Sequence, residues 1–183
     1  IAIAVIIVIL MLILPLPTVL LDMLMAANLT LSLLIVLIVI YTPRTIDFLS
    51  FPSVLLISTI FGLGINVSST RLILAKGADF DGKMVRAFAS FVVGKAGVEG
   101  VAIGFVIFII LIAVQTFVIT KGATRIAEVA ARFTLEGIPM KQAGLEQEYS
   151  AGLITEEEQR RKKLELQQES NFYGSMDGAT KFV

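Results

Sequence analysis

The sequence predicts an all-α polytopic membrane protein, with four transmembrane helices followed by a helical, charged segment. Three observations predict it. Apolar residues make up 56% of the 183, and they gather into four long runs. Before position 76 the charged residues are Asp22, Arg44, Asp47 and Arg71, whereas most of the charge lies from Lys121 onward. The net charge of zero therefore averages two parts of opposite character. Past Lys121 the apolar runs give way to an amphipathic pattern and then to a salt-bridged one.

A bilayer core takes about 20 apolar residues as a helix. The first run, 1–14, is shorter. It opens without Met, so it reads as the remainder of a span in a longer protein. It has no basic n-region and no small-residue cleavage site, which excludes a signal peptide. Pro15 and Pro17 end it. The second span is 23–42, broken by Thr42-Pro43-Arg44, and a short polar link covers 44–50. The third span is 51–75, with Ser50 as N-cap and Pro52 in the first turn. The fourth is 101–120, ended by Lys121-Gly122. Residues 1–120 are thus the transmembrane region and 121–183 a second region. Between the third and fourth spans, Met84, Phe88, Phe91 and Val92 line one side of a helix, with Lys83, Arg86 and Ser90 opposite. That pattern suits a helix lying flat at a membrane surface.

The second region opens on an amphipathic helix. Ile126, Val129, Ala130 and Phe133 fall at i, i+3, i+4 and i+7, an apolar stripe. Arg125, Glu128, Arg132 and Glu136 form a second stripe of alternating sign, with Glu128 to Arg132 an i,i+4 pair in the favourable order. Gly137 and Pro139 are expected to stop this helix. A second helix begins at Thr155, where Thr155 and Glu158 make a capping box. Glu156, Glu157 and Glu158 face Arg160, Arg161 and Lys162 at i+4, and Arg161 faces Glu165. Leu164 and Leu166 are its few apolar residues, so a solvated, salt-bridged helix is expected. The acidic flanks neutralise its basic run and argue against nucleic acid as a partner.

Polar groups inside the apolar runs are candidates for function. An ionised carboxylate in lipid is costly, which singles out Asp22. Its bland reading is a cap at the start of the second span, near the proline turn. Asn28, Thr30 and Ser32 line part of the second span and suit bonds across helices. Gly62, Gly64, Asn66, Ser68, Ser69, Thr70 and Arg71 make the third span unusually polar, either close-packed through its glycines or broken. Arg71 either snorkels to the surface or pairs with a carboxylate such as Asp22. Without cysteine or histidine there is no disulfide framework, no usual zinc site and no Ser-His triad. Walker A is missing too. No enzymatic activity and no cofactor are expected.

The stretch KGATRIAEVAARFTLEGIPMKQ resembles, almost end to end, the signature of the FHIPEP family, the large export-gate membrane proteins of flagellar and virulence-associated type III secretion. PLPTVLLD, the following Asn28, FPSVLLISTIFGLGINVSSTRLIL, FVVG, VITKG and NFYGSMDGATKFV are similar to further family segments in the family's order. The last of these leans to the flagellar branch. Departures are local: Glu136 stands where the family has Asp, and Met140 where it has Gly. Gly62-Leu63 replaces Arg-Leu, Lys95-Ala96 replaces Gly-Asn, and AGLEQE stands at 143–148.

The resemblance implies a multi-pass protein of the bacterial inner membrane, with residues 121–183 cytoplasmic. The Lys and Arg count near the spans, Lys76, Lys83, Arg86 and Lys95 against Lys121, Arg125, Arg132 and Lys141, barely decides that side. It implies a homo-oligomeric, nonameric ring, working with other membrane export-gate proteins and the basal body. Secreted proteins and chaperones would dock on a further cytoplasmic domain, and protons would be the coupling ion. In that reading Arg125, Glu128, Arg132, Glu136, Lys141, Asp177 and Lys181 form a charged network that relays proton occupancy into conformation, with Asp22 and Arg71 as membrane-side candidates. A purely architectural ring scaffold and a small-ion transporter are the alternatives.

Overall fold

A computed structural model describes Ile6, Met11 and residues 16–94 and 97–183. The first expected span, 1–14, lies outside the described residues except for Ile6 and Met11, both helical, as do Lys95 and Ala96. Among the described residues the fold is all-helical. Its α-helices are α1 (Thr18–Tyr41), α2 (Phe51–Lys76), α3 (Lys83–Val93), α4 (Val98–Ala113), α5 (Lys121–Ser150) and α6 (Glu156–Phe182). Short 3-10 turns cover Thr45–Phe48 and Gly77–Asp79, and a π-helix covers Val114–Thr120.

Three described helices are long and apolar enough to cross a membrane: Thr18–Tyr41, Phe51–Asp79 and Glu99–Ser150. They cover the second, third and fourth expected spans apart from Thr42, with two further corrections of boundary. α1 starts at Thr18 rather than at 23, because the amide of Leu21 bonds the carbonyl of Pro17 and a proline is tolerated where a helix begins. Lys121-Gly122 ends the apolar run but not the helix. The backbone passes from α4 through the π-helix into α5, and one glycine is too weak a breaker to stop a helix that continues on both sides.

The chain divides into two compact units. The first holds Ile1–Ile40 and Leu56–Gln115. Its core is Met11, Leu21 and Ile65, with Leu16, Leu24, Met25, Phe61 and Leu72 packed around them. α2 is unbroken, which settles the open question of its polar stretch. Thr70 and Ser69 hydroxyls donate to the Asn66 carbonyl at 2.8 and 2.9 Å, and the buried Ser68 hydroxyl donates to Met11 O at 2.8 Å. On α1, Thr30 and Ser32 likewise bond back to Ala26 and Asn28. A hydroxyl that finds a carbonyl one turn back leaves no orphan donor in an apolar setting.

The second unit holds Tyr41–Leu55 and Thr116–Val183. It is an antiparallel helical hairpin, α5 on α6, with the Thr45–Phe48 turn against α6. α5 closes with a Schellman turn: Gly152, at φ +72°, donates to Tyr149 O and Leu153 donates to Glu148 O. α6 opens on the expected capping box at Thr155 and Glu158. Two sequence expectations fail here. Gly137 and Pro139 do not stop α5, which runs through both. Ile138 and Leu145, buried on either side of the proline, supply the packing that offsets its missing hydrogen bond. The Ile126–Phe133 stripe is not the buried face, since both are 72% exposed. The seam is Ala131, Ile138 and Leu145, one heptad apart, with Phe172 and Ala179 on α6.

Candidate functional site

Both units carry clustered polar groups. In the first, the cluster is built around Asp22. The turn after α2 bends back through Phe80, which is buried, to Gly82, the residue before α3. A Cβ on Gly82 would sit 2.3 Å from the Phe80 ring, so a side chain there would have to displace a buried ring. α3 therefore lacks a cap of its own. Asp22 supplies it from α1: Oδ2 accepts the Lys83 amide at 2.8 Å and Oδ1 the Met84 amide at 3.0 Å. A carboxylate at a helix N-terminus satisfies orphan donors and meets the positive end of the dipole. Asp22 thus caps neither the helix it belongs to nor one that starts beside it, as the sequence suggested, but one 61 residues away.

Beside it, Lys76 Nζ pairs with Asp81 Oδ1 at 2.8 Å. The Lys76 hydrogen bond, helped by the Thr18 hydroxyl, holds the Asp81 carboxyl below its usual range. The start of α1, the end of α2 and the start of α3 are joined in one polar knot. Arg71 lies elsewhere on α2, exposed, on a shallow groove with Asn66, Val67, Thr70 and Leu74.

In the hairpin, six of the seven charged residues singled out from sequence fall into three pairs. Arg125 meets Glu128 at 3.2 Å, Arg132 meets Glu136 at 2.8 Å, and Lys181 meets Asp177 at 2.7 Å. Glu136, not Glu128, is therefore the direct partner of Arg132. Glu128 still acts on its neighbours at longer range. The Lys181 ammonium is held above its ordinary value first by the Asp177 hydrogen bond and charge, and additionally by Glu128 on the facing helix. Glu128 thus sits among cations of both helices, while Lys141 belongs to a different group.

Lys141 reaches Glu169 on α6 at 3.2 Å. Two more pairs cross the hairpin, Glu148–Lys162 at 2.9 Å and Glu146–Lys163 at 3.2 Å. These three share one antiparallel register with the buried seam, in which Ala131 lies level with Ala179 and Ile138 with Phe172. Sequence reasoning missed Glu169, Glu146, Glu148, Lys162 and Lys163 as cross-helix partners and assigned Lys162 to Glu158. The available signal was the turn at Gly152, which fixes the register once the hairpin is assumed. Arg44, Thr45 and Ile46 close one side of a cleft of about 500 Å³ over Lys141, Leu145, Glu148, Lys162 and Glu169. Its charges of both signs are mostly paired with each other, so it offers structure rather than a built site for a single ion.

No solved structure matches the chain significantly. It is 61% identical over 163 residues to the flagellar biosynthesis protein FlhA of Borreliella burgdorferi and 62% over 163 residues to that of Treponema pallidum. It is 49% identical over 166 residues to that of Salmonella typhimurium. Each alignment covers 89% of this chain and 23% of the relative, so the chain spans about a quarter of those proteins' length. The FHIPEP family pattern matches residues 8–183: the chain belongs to the FHIPEP family.

Proposed function

We propose that this chain is the membrane part of a flagellar protein-export subunit, lying in the bacterial inner membrane with residues 121–183 facing the cytoplasm. The observation that carries the reading is the likeness to proteins named for flagellar biosynthesis, at about three residues in five over 89% of the chain. The exposed apolar surfaces of α1 and α4 support it, since such surfaces require lipid or other subunits. The subunits form a homo-oligomeric ring beside other membrane proteins of the export apparatus. The work is transport driven by the proton-motive force, not catalysis. Protonation at Glu128 or Asp177 removes the helix-internal partner of Arg125 or Lys181, and at Glu128 also its longer-range attraction for Lys181 on the facing helix, which couples proton occupancy to shape.

Neutralising Glu128, Arg132 and Asp177 to their amide or uncharged counterparts tests this. Export of flagellar substrates should stop while subunits still cross-link into rings. Normal export in these variants refutes the relay. A ring scaffold without proton coupling, in which the loop charges only hold neighbouring subunits together, is the second reading. It expects ring and export to be lost together.

A further inference from the structure

Among the described residues, the segment joining two of the apolar helices has no partner for its most apolar face. On α3, Phe88 is 69% and Phe91 87% exposed, and Met84 lies on the same face at i, i+4 and i+7. At about 100° per residue, Lys83, Arg86 and Ser90 fall on the far side of the helix. A third side is turned to protein: Val85, Val92 and Val93 are partly covered, and a Cβ on Gly104 of α4 would touch Val93 at 3.3 Å. One face is thus packed, one is cationic and polar, and one is bare and aromatic.

Position restricts what can cover the bare face. Lys83 follows the apolar helix ending at Asp79 by a short turn, and Val93 precedes the one starting at Glu99 by another. Connections of three to five residues reach roughly 10–18 Å at full extension, so α3 cannot leave the level at which those two helices end. Asp22 fixes it further, gripping its first amides from the opening turns of α1. The start of α1, the end of α2 and the start of α4 all lie at that level.

We propose that α3 is a lipid anchor. Met84, Phe88 and Phe91 lie among the upper acyl chains of the bilayer, Lys83 and Arg86 point to the headgroup phosphates, and the Asp22 carboxylate pins the helix in that plane. An amphipathic helix with aromatics on one face and cations on the other sits about 5–10 Å into this zone. The proposal rests on the reading that α2 and α4 span the membrane, so its test carries an internal control.

The chain contains no tryptophan, so single tryptophans report cleanly in the full-length protein once any outside this segment are replaced by phenylalanine. Phe91→Trp, Phe88→Trp, Ser90→Trp and Phe108→Trp (the last exposed near the middle of the 101–120 span) would be reconstituted in phosphatidylcholine–phosphatidylglycerol vesicles. Lipids brominated high or low on the acyl chain then act as quenchers. Phe91→Trp and Phe88→Trp should be quenched at least twofold more by shallow than by deep bromines. Ser90→Trp should be little affected, and Phe108→Trp should prefer deep bromines. Adding Asp22→Ala to Phe91→Trp should weaken the shallow quenching by half or more. If Phe108→Trp responds but Phe91→Trp and Phe88→Trp do not, the face is covered by protein or water and the proposal falls alone. If Phe108→Trp is also silent, the spanning assignment falls with it.

Discussion

Replacing Asp22 by alanine removes both acceptors of the Lys83 and Met84 amides at once. α3 has only eleven residues, below the length at which a helix holds itself together in water, and Gly82 offers no substitute cap. Loss of an N-cap costs about 1 kcal/mol, and loss of the anion at the helix N-terminus adds about 0.3–1 kcal/mol. Together they give about 2 kcal/mol for a half-buried carboxylate bonded to two amides. At about 1.4 kcal/mol per tenfold, the local opening that exposes those amides becomes roughly 30-fold more frequent. Asp22→Asn keeps one oxygen acceptor and loses the charge, which predicts about 1 kcal/mol and roughly fivefold. Hydrogen exchange resolved at residues 83 and 84, with the protein in lipid nanodiscs, reads both values. Amides that exchange equally fast in the wild type and in Asp22→Ala would show that water or another group caps α3, and the clamp would be refuted.

Three further expectations concern the hairpin. Ala131→Leu overfills a seam where Ala131 and Ala179 are 3% and 2% exposed, costing about 1–3 kcal/mol in thermal unfolding followed by circular dichroism. Ala130→Leu, on the exposed face, stays within about 0.5 kcal/mol. A double-mutant cycle on Lys141 and Glu169 should give a coupling of about 0.5–1 kcal/mol that shrinks with added salt. Acid should loosen the start of α6: the backbone and hydroxyl bonds from Thr155 hold the Glu158 carboxyl below its ordinary 4.5. The folded value is the depressed one, so this stabilisation is complete above pH 4.5 and is lost as pH falls through the lower folded value. Glu158→Gln should remove that part of the acid response in a helicity titration.

What the sequence disclosed follows how local each determinant is. The capping box at Thr155 and Glu158 involves residues three apart and needs nothing else. The apolar helices from Thr18, Phe51 and Val98 follow from run length, and their hydroxyls are satisfied one turn back. The buried face of α5 was harder, because two stripes share the helical period. Ile126 and Phe133 are the larger apolar residues, but Ala131 opposite Ala179 permits closer approach of the two helices, and close approach selects the face. Pro139 was misjudged for a related reason: propensity speaks for an isolated helix, and the hairpin supplies packing that propensity does not count. Asp22 and Lys141 stand out in the sequence as charges needing an explanation. Their partners, the Lys83 amide and Glu169, lie too far along the chain for any spacing rule to reach.

The contact between Gly82 and Phe80 bears on the order in which the protein assembles. Because a side chain at residue 82 would displace the Phe80 ring, the turn gives α3 no side-chain cap of its own. The cap arrives only when α1 and α2 lie side by side, closing a loop of about sixty residues. Until that pairing is complete, 83–93 lacks this cap and its first turn opens more readily. The stability of α3's first turn then reports that the two preceding helices have found each other in the right register.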